Sequence, residues 1–196
     1  MRIVVDSDVL VYALHIPRDP AAMKRHTRAV ALFDSFVIST NELFIPSTVV
    51  IEVAATLSKI VGEQLAEVNV NDLIAVASEI YPMSPSLAQT WFLSVSSYIY
   101  FKACLNNALK HTRVPKDMVA DTAVPGFTSK RDEVRIGGMD IFVFTYAEVR
   151  DAPLLTNDWS LWYAAWKKGL RAYWLSGLSD QQVAELAQGK SVSYPL

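Results

Sequence analysis

The sequence predicts an α/β fold with a largely parallel central sheet. Short, wholly apolar β-branched runs alternate along the chain with segments of helical periodicity, the pattern of a parallel sheet covered by helices. Hydrophobic residues make up 52% of 196 and charged residues only 19%, so the chain carries enough apolar material for one sizeable core.

Arg2 to Val5 reads as a buried strand that ends at Asp6, where the polar residues begin. Ala21 to Phe36 places Ala22, Ala29, Leu32, Phe33 and Phe36 at helical spacing, opposite Lys24, Arg25 and Arg28. Leu43 to Ile45 is a short strand. Pro46-Ser47-Thr48 then starts a helix with Val49, Val50, Val53, Leu57, Ile60 and Val61 on one broad face, which Gly62 ends. Helices are expected over Asn71 to Tyr81 and over Ser86 to about Lys110, with Pro82 and Pro85 between them. From His111 to Arg135 periodicity disappears, and Pro115, Pro125 and Gly126 stand among charges as in a long loop. Gly137-Gly138 opens a helix to about Arg150, Pro153 to Thr156 is a strand, Ser160 to Lys168 a helix, and Arg171 to Trp174 a last strand. The organisation expected is one domain over residues 1–175 with a helical and loop insertion at about 82–136. Residues 176–196 form a helical tail packed on it.

Composition excludes several classes. Seven glycines and nine prolines are too few for a collagenous or linker-like chain. The single cysteine, Cys104, excludes an intramolecular disulfide framework and a zinc ribbon, and it reads as a core residue in an apolar helix. Asp6 and Asp8 interrupt the stretch a signal peptide would need, and no window reaches the length of a membrane span, so a cytoplasmic protein is expected. His15, His26 and His111 are scattered, and no serine has a His-Asp pattern around it. Trp159, Trp162, Tyr163 and Trp166 recur at the spacing of a packed helix face.

Four acids stand where open α/β sheets collect ligands, at the carboxyl ends of strands. Asp6 follows the first strand and Asp158 the strand 153–156. Glu52 lies in a helix of valines and isoleucines with Thr48 and Thr56 one turn away, and Asp140 heads an apolar helix after two glycines. Each has a simpler reading as a cap, a turn residue or a surface acid. Together they point to a hard divalent cation, Mg²⁺ or Mn²⁺, since converging carboxylates need a counter-charge. The chemistry such a centre supports is hydrolysis of a phosphodiester, the ion acidifying the attacking water.

The segments Ile3-Val4-Val5-Asp6-Ser7, Ile45-Pro46-Ser47-Thr48-Val49-Val50-Ile51-Glu52-Val53, Asp140 and Leu154-Leu155-Thr156-Asn157-Asp158 resemble, in order and spacing, those of the PIN-domain nucleases, and among them the VapC-type toxin ribonucleases. The resemblance covers roughly residues 1–62 and 137–175. It implies a PIN-like three-layer α/β/α sandwich and an endoribonuclease with Asp6, Glu52, Asp140 and Asp158 as catalytic, metal-holding acids. Ser7, Thr156 and Asn157 would orient those acids. It also implies a small antitoxin protein as partner, and the apolar composition suggests a homodimer. Asp8 and the bulky Ile141-Phe142-Val143 depart from the usual pattern.

Two alternatives belong to other classes. Asp6-Ser7-Asp8 also resembles the start of haloacid-dehalogenase-like phosphatases, in which one acid attacks phosphorus and the other moves the proton, but no lysine follows a convincing strand. A PIN-like interaction protein without catalysis would keep the acids as remnants. For an RNA substrate the net charge of −2 offers no general attraction. Seven bases lie between residues 102 and 135, and Lys130, Arg131 and Arg135 are the expected RNA contacts.

Overall fold

In the computed structural model, which describes residues 1–82, 138–167 and 169–193, five strands form one sheet: β1 (Arg2–Val5), β2 (Glu42–Pro46), β3 (Glu79–Tyr81), β4 (Leu154–Thr156) and β5 (Ala172–Trp174). Their order is β3-β2-β1-β4-β5, and every pair is parallel. Ile3, Val4 and Val5 are consecutive and each at most 1% exposed, so both faces of β1 are covered, as the unbroken apolar run requires. The helices are α1 (Ser7–Leu14), α2 (Pro20–Val37), α3 (Ser47–Val61), α4 (Glu63–Val76), α5 (Gly138–Arg150), α6 (Trp159–Lys167) and α7 (Asp180–Ala187). The chain steps from β1 outward to β3 and returns to β4 and β5 on the other side. With right-handed crossovers, that reversal puts α1 to α4 on one face and α5 and α6 on the opposite one. The result is the three-layer α/β/α arrangement expected.

Local signals set most boundaries. Asp19 accepts a hydrogen bond from the Ala21 amide (3.0 Å) and Pro20 opens α2, whose buried Ala22, Ala29, Leu32 and Phe36 form one stripe. In α3, Val49, Val53 and Leu57 are buried, but Ile60 is exposed, narrowing the expected face. Gly62 ends α3 at φ +85, a conformation that favours glycine, and α4 follows at once. Trp159 and Trp162 enter the core from α6, as their spacing predicts.

One stretch differs from expectation. The helix predicted over 71–81 begins at Glu63 and ends at Val76, and Glu79–Tyr81 is a strand instead. The expected helix over 86–110, the loop over 111–135 and Cys104 lie outside the described residues. The tail forms α7 against α2. Asn41 Nδ2 donates to Leu186 O (2.8 Å), and Arg28 binds Asp180 (2.8 Å).

Candidate active site

The strand order reverses between β1 and β4, and the acids gather at the carboxyl ends of those two strands. Asp6 is the residue after β1 and the N-cap of α1. Its Oδ1 accepts from the Ser7 amide (2.7 Å) and its Oδ2 from the Thr156 hydroxyl (2.7 Å), while its own amide donates to Leu155 O (3.0 Å). It is 4% exposed, and no ion pair to it forms among the described residues. Burial pushes its pKa from 3.8 up to about 7. The Thr156 and Ser7 hydrogen bonds oppose that rise, and the charges of Asp140 and Glu52 add to it.

Glu52 lies in the second turn of α3, half-buried, and the Ser7 hydroxyl donates to its carboxylate. Its pKa is raised by burial and, more weakly, by Asp140 in the first turn of α5. Asp6, Glu52 and Asp140, expected to converge from three distant segments, therefore sense one another's charge.

Asp158 stands differently. Its Oδ1 accepts from the amides of Ser160 (2.6 Å) and Leu161 (3.3 Å), so it caps α6, and its amide donates to Thr156 Oγ1 (2.9 Å). Its charge acts on Asp8, whose pKa is raised well above 3.8 by burial and then by Asp6. Asp8 Oδ1 accepts from the Asn157 amide (3.1 Å). Asp8, a departure from the PIN pattern and the second acid of the haloacid-dehalogenase-like alternative, ties the turn after β4 to the turn after β1. Thr156 through its hydroxyl and Asn157 through its backbone amide each donate to an acid of the turn after β1. Thr156 bonds Asp6 and the Asp158 amide at once. Asn157 is fixed by Trp174 Nε1 donating to its carbonyl (3.1 Å) and by the Ser176 hydroxyl at its Oδ1. No sequence signal marks Trp174 and Ser176 for this, because they lie 17 and 19 residues further on.

All the donors in this group are oxygens, which suits a hard divalent cation and no soft metal. Among the described residues, no three Asp, Glu, His or Cys side chains stand close enough to hold an ion by themselves. The mutual charge effects on Asp6 nonetheless require the carboxylates to be neighbours. The four acids expected to surround an ion therefore do not form an all-protein cage among the described residues. A cavity of about 360 Å³ bounded by Trp166, Arg171, Tyr173 and Val192 lies at the amino end of β5, away from the acids. Lys130, Arg131 and Arg135 lie outside the described residues. No helix among the described residues is long and apolar enough to cross a membrane. Compared with known protein families, curated proteins and solved structures, the chain matches none.

Proposed function

We propose that this chain is a PIN-type endoribonuclease that hydrolyses RNA phosphodiester bonds with Mg²⁺ or Mn²⁺. The observation that carries the reading is Asp6, an acid 4% exposed at the reversal of strand order, raised in pKa by burial and by two other acids, with no cation paired to it among the described residues. Such a group costs folding free energy, and its cap on α1 and its bond from Thr156 offset only part of that cost, since its pKa still stands at about 7. This favours a working centre over a remnant in an interaction protein.

Asp6 and one of its two acidic neighbours, Glu52 or Asp140, with water completing the shell, would hold the ion, which when bound would acidify a water and screen the charge developing on the phosphate. Thr156 and the Ser7 amide fix both oxygens of Asp6, and the Ser7 hydroxyl fixes Glu52, so the carboxylates are oriented before anything binds. Asp158 keeps one oxygen for capping α6 and contributes chiefly its negative charge. The toxin role and a small antitoxin partner belong to the same proposal through the resemblance, and a homodimer and a cytoplasmic setting through the composition. The haloacid-dehalogenase-like alternative needs a lysine at the phosphate, and none joins the acids among the described residues.

The test is cleavage of a mixed RNA pool in Mg²⁺ or Mn²⁺ by the parent protein and by Asp6→Asn and Asp140→Asn. The proposal expects loss of cleavage in both variants and in chelator. Cleavage by both at the parent rate would reassign the site.

A further inference from the structure

The hairpin of α1 and α2 rises beside the acidic edge and carries a set of bases. Its height is fixed by Arg28. That guanidinium, 7% exposed, donates to the carbonyls of Leu175 (3.1 Å) and Ser176 (3.2 Å), the residues immediately past the carboxyl end of β5. Arg28 is thus level with the sheet edge that carries Asp6 and Asp158. The far end of α2 reaches the opposite edge, where Asn41 turns the chain into β2 and the Glu42 amide meets Met1 O (2.9 Å). The eight residues from Pro20 to Thr27 therefore project beyond the carboxyl edge by about 12 Å at 1.5 Å per residue.

Two of these residues, Lys24 and Arg25, are bases, and Arg18 sits in the loop just before; Lys24 and Arg18 are exposed. Arg25 is held in place. Its Nη1 donates to the Tyr12 hydroxyl (2.6 Å), its guanidinium lies 5.4 Å over the Tyr12 ring, and the neighbouring His26 Nδ1 meets Tyr12 O (2.7 Å). Tyr12 is four residues after Asp8 on α1, so the two share a helix face with Cβ atoms about 5–6 Å apart. The fork of Arg25 is consequently anchored one helical turn from the acidic centre.

The local charge is positive. Asp19 is the acid within this stretch, and its Oδ1 caps α2. The acid facing α2 from α7 is Asp180, already bound to Arg28 and also sensing Lys24. The hairpin of α3 and α4 has the opposite character, with Glu63, Glu67 and Asp72 against Lys59.

We propose that Arg18, Lys24 and Arg25 form a phosphate-binding surface that lays a single-stranded RNA backbone along the α1–α2 hairpin and into the carboxylate edge. The choice of RNA rests on the nuclease reading; the surface itself rests on the geometry. An arginine fork already held by a tyrosine loses little freedom on meeting a phosphate, and cations spaced along a ridge release counterions as a strand docks.

The test is fluorescence anisotropy of a labelled twelve-residue oligouridylate bound to the full chain in chelator, where cleavage is silent, over a series of salt concentrations. The triple variant Arg18→Gln/Lys24→Gln/Arg25→Gln is expected to lower the slope of log affinity against log salt by about 2, from about 0.7 per phosphate contact on single strands. The double variant Arg18→Gln/Lys24→Gln changes only exposed side chains and is expected to lower it by about 1.4. An unchanged slope in the folded double variant overturns the surface. Parent protein that cleaves RNA while both variants keep its slope sinks the surface and leaves the nuclease reading. Parent protein that binds with the expected slope changes yet never cleaves does the reverse. Parent protein that does not bind the oligomer overturns both.

Discussion

Replacing Asp6 with asparagine is expected to make the metal-free protein more stable above neutral pH, although it removes a residue from the centre of the site. Burial, with smaller contributions from Asp140 and Glu52, raises this carboxyl from 3.8 to about 7 in the folded chain. A group whose folded pKa is raised stabilises the fold fully below its unfolded value, and that contribution is lost as pH rises through the folded value. Ionising Asp6 in place therefore costs about 4 kcal/mol at pH 8, at about 1.4 kcal/mol per pH unit between 3.8 and 7. Asparagine does not ionise and escapes this cost. It also keeps a single acceptor oxygen, so either the Thr156 hydroxyl or the Ser7 amide loses its partner, a penalty of about 1 kcal/mol. The balance is a variant about 3 kcal/mol more stable than the parent at pH 8 and slightly less stable at pH 4. Urea denaturation in chelator, followed by tryptophan fluorescence at several pH values, measures the difference. A gap between parent and variant that stays constant from pH 4 to pH 8 would refute the reasoning. Mn²⁺ at pH 8 should then stabilise the parent, by about 2.7 kcal/mol at a hundred times its dissociation constant, and leave Asp6→Asn unmoved.

Thr156→Val keeps the shape of a buried side chain but leaves the Asp158 amide without its acceptor and Asp6 without its donor. A loss of about 2 kcal/mol in urea and a further rise in the Asp6 pKa, read from the pH dependence of stability, are expected. Arg28→Leu strips the donors from the Leu175 and Ser176 carbonyls and should cost about 3 kcal/mol. Asp180→Asn leaves those bonds in place, and its smaller effect should fade with added salt, as thermal melts at two ionic strengths would show. Ser7→Ala removes the hydroxyl on Glu52 and should weaken Mn²⁺ binding several-fold in titration calorimetry, with little change in melting temperature.

The strands that place the acids were legible because β1, β2, β4 and β5 are continuous apolar runs that stop at polar residues. Three of the acids could be located at strand ends or helix starts for the same reason. The helix expected over 71–81 differs from the observed helix and strand for a physical cause. In α4, Leu65, Val68 and Ile74 are exposed while Ala66 and Leu73 are buried, so apolar residues surround the helix instead of marking one face. Tyr81 and its two half-buried neighbours make a strand of three residues, too short to interrupt helical spacing. Burial itself was not readable either. Asp6 and Asp158 look alike in sequence and each spends an oxygen on a helix cap, yet Asp6 is 4% exposed with its second oxygen bound as well. What separates them is the Thr156 hydroxyl, 150 residues from Asp6.

That separation has a consequence for synthesis. Strand β1 occupies the middle of the sheet, and its neighbour β4 is made about 150 residues later. At roughly 5–20 residues per second, about 8–30 seconds separate the emergence of Asp6 from that of the threonine that orients it. The turn bearing Asn157 then waits for Trp174 and Ser176, and Ser176 sits among the carbonyls that Arg28 grips from the first half of the chain. A ribosome-bound fragment short of β4 holds Asp6 on a strand with one open edge and no Thr156, so the oriented carboxylate centre cannot assemble on it. The grouping of Asp6 with Thr156 therefore forms only after β4 has been made.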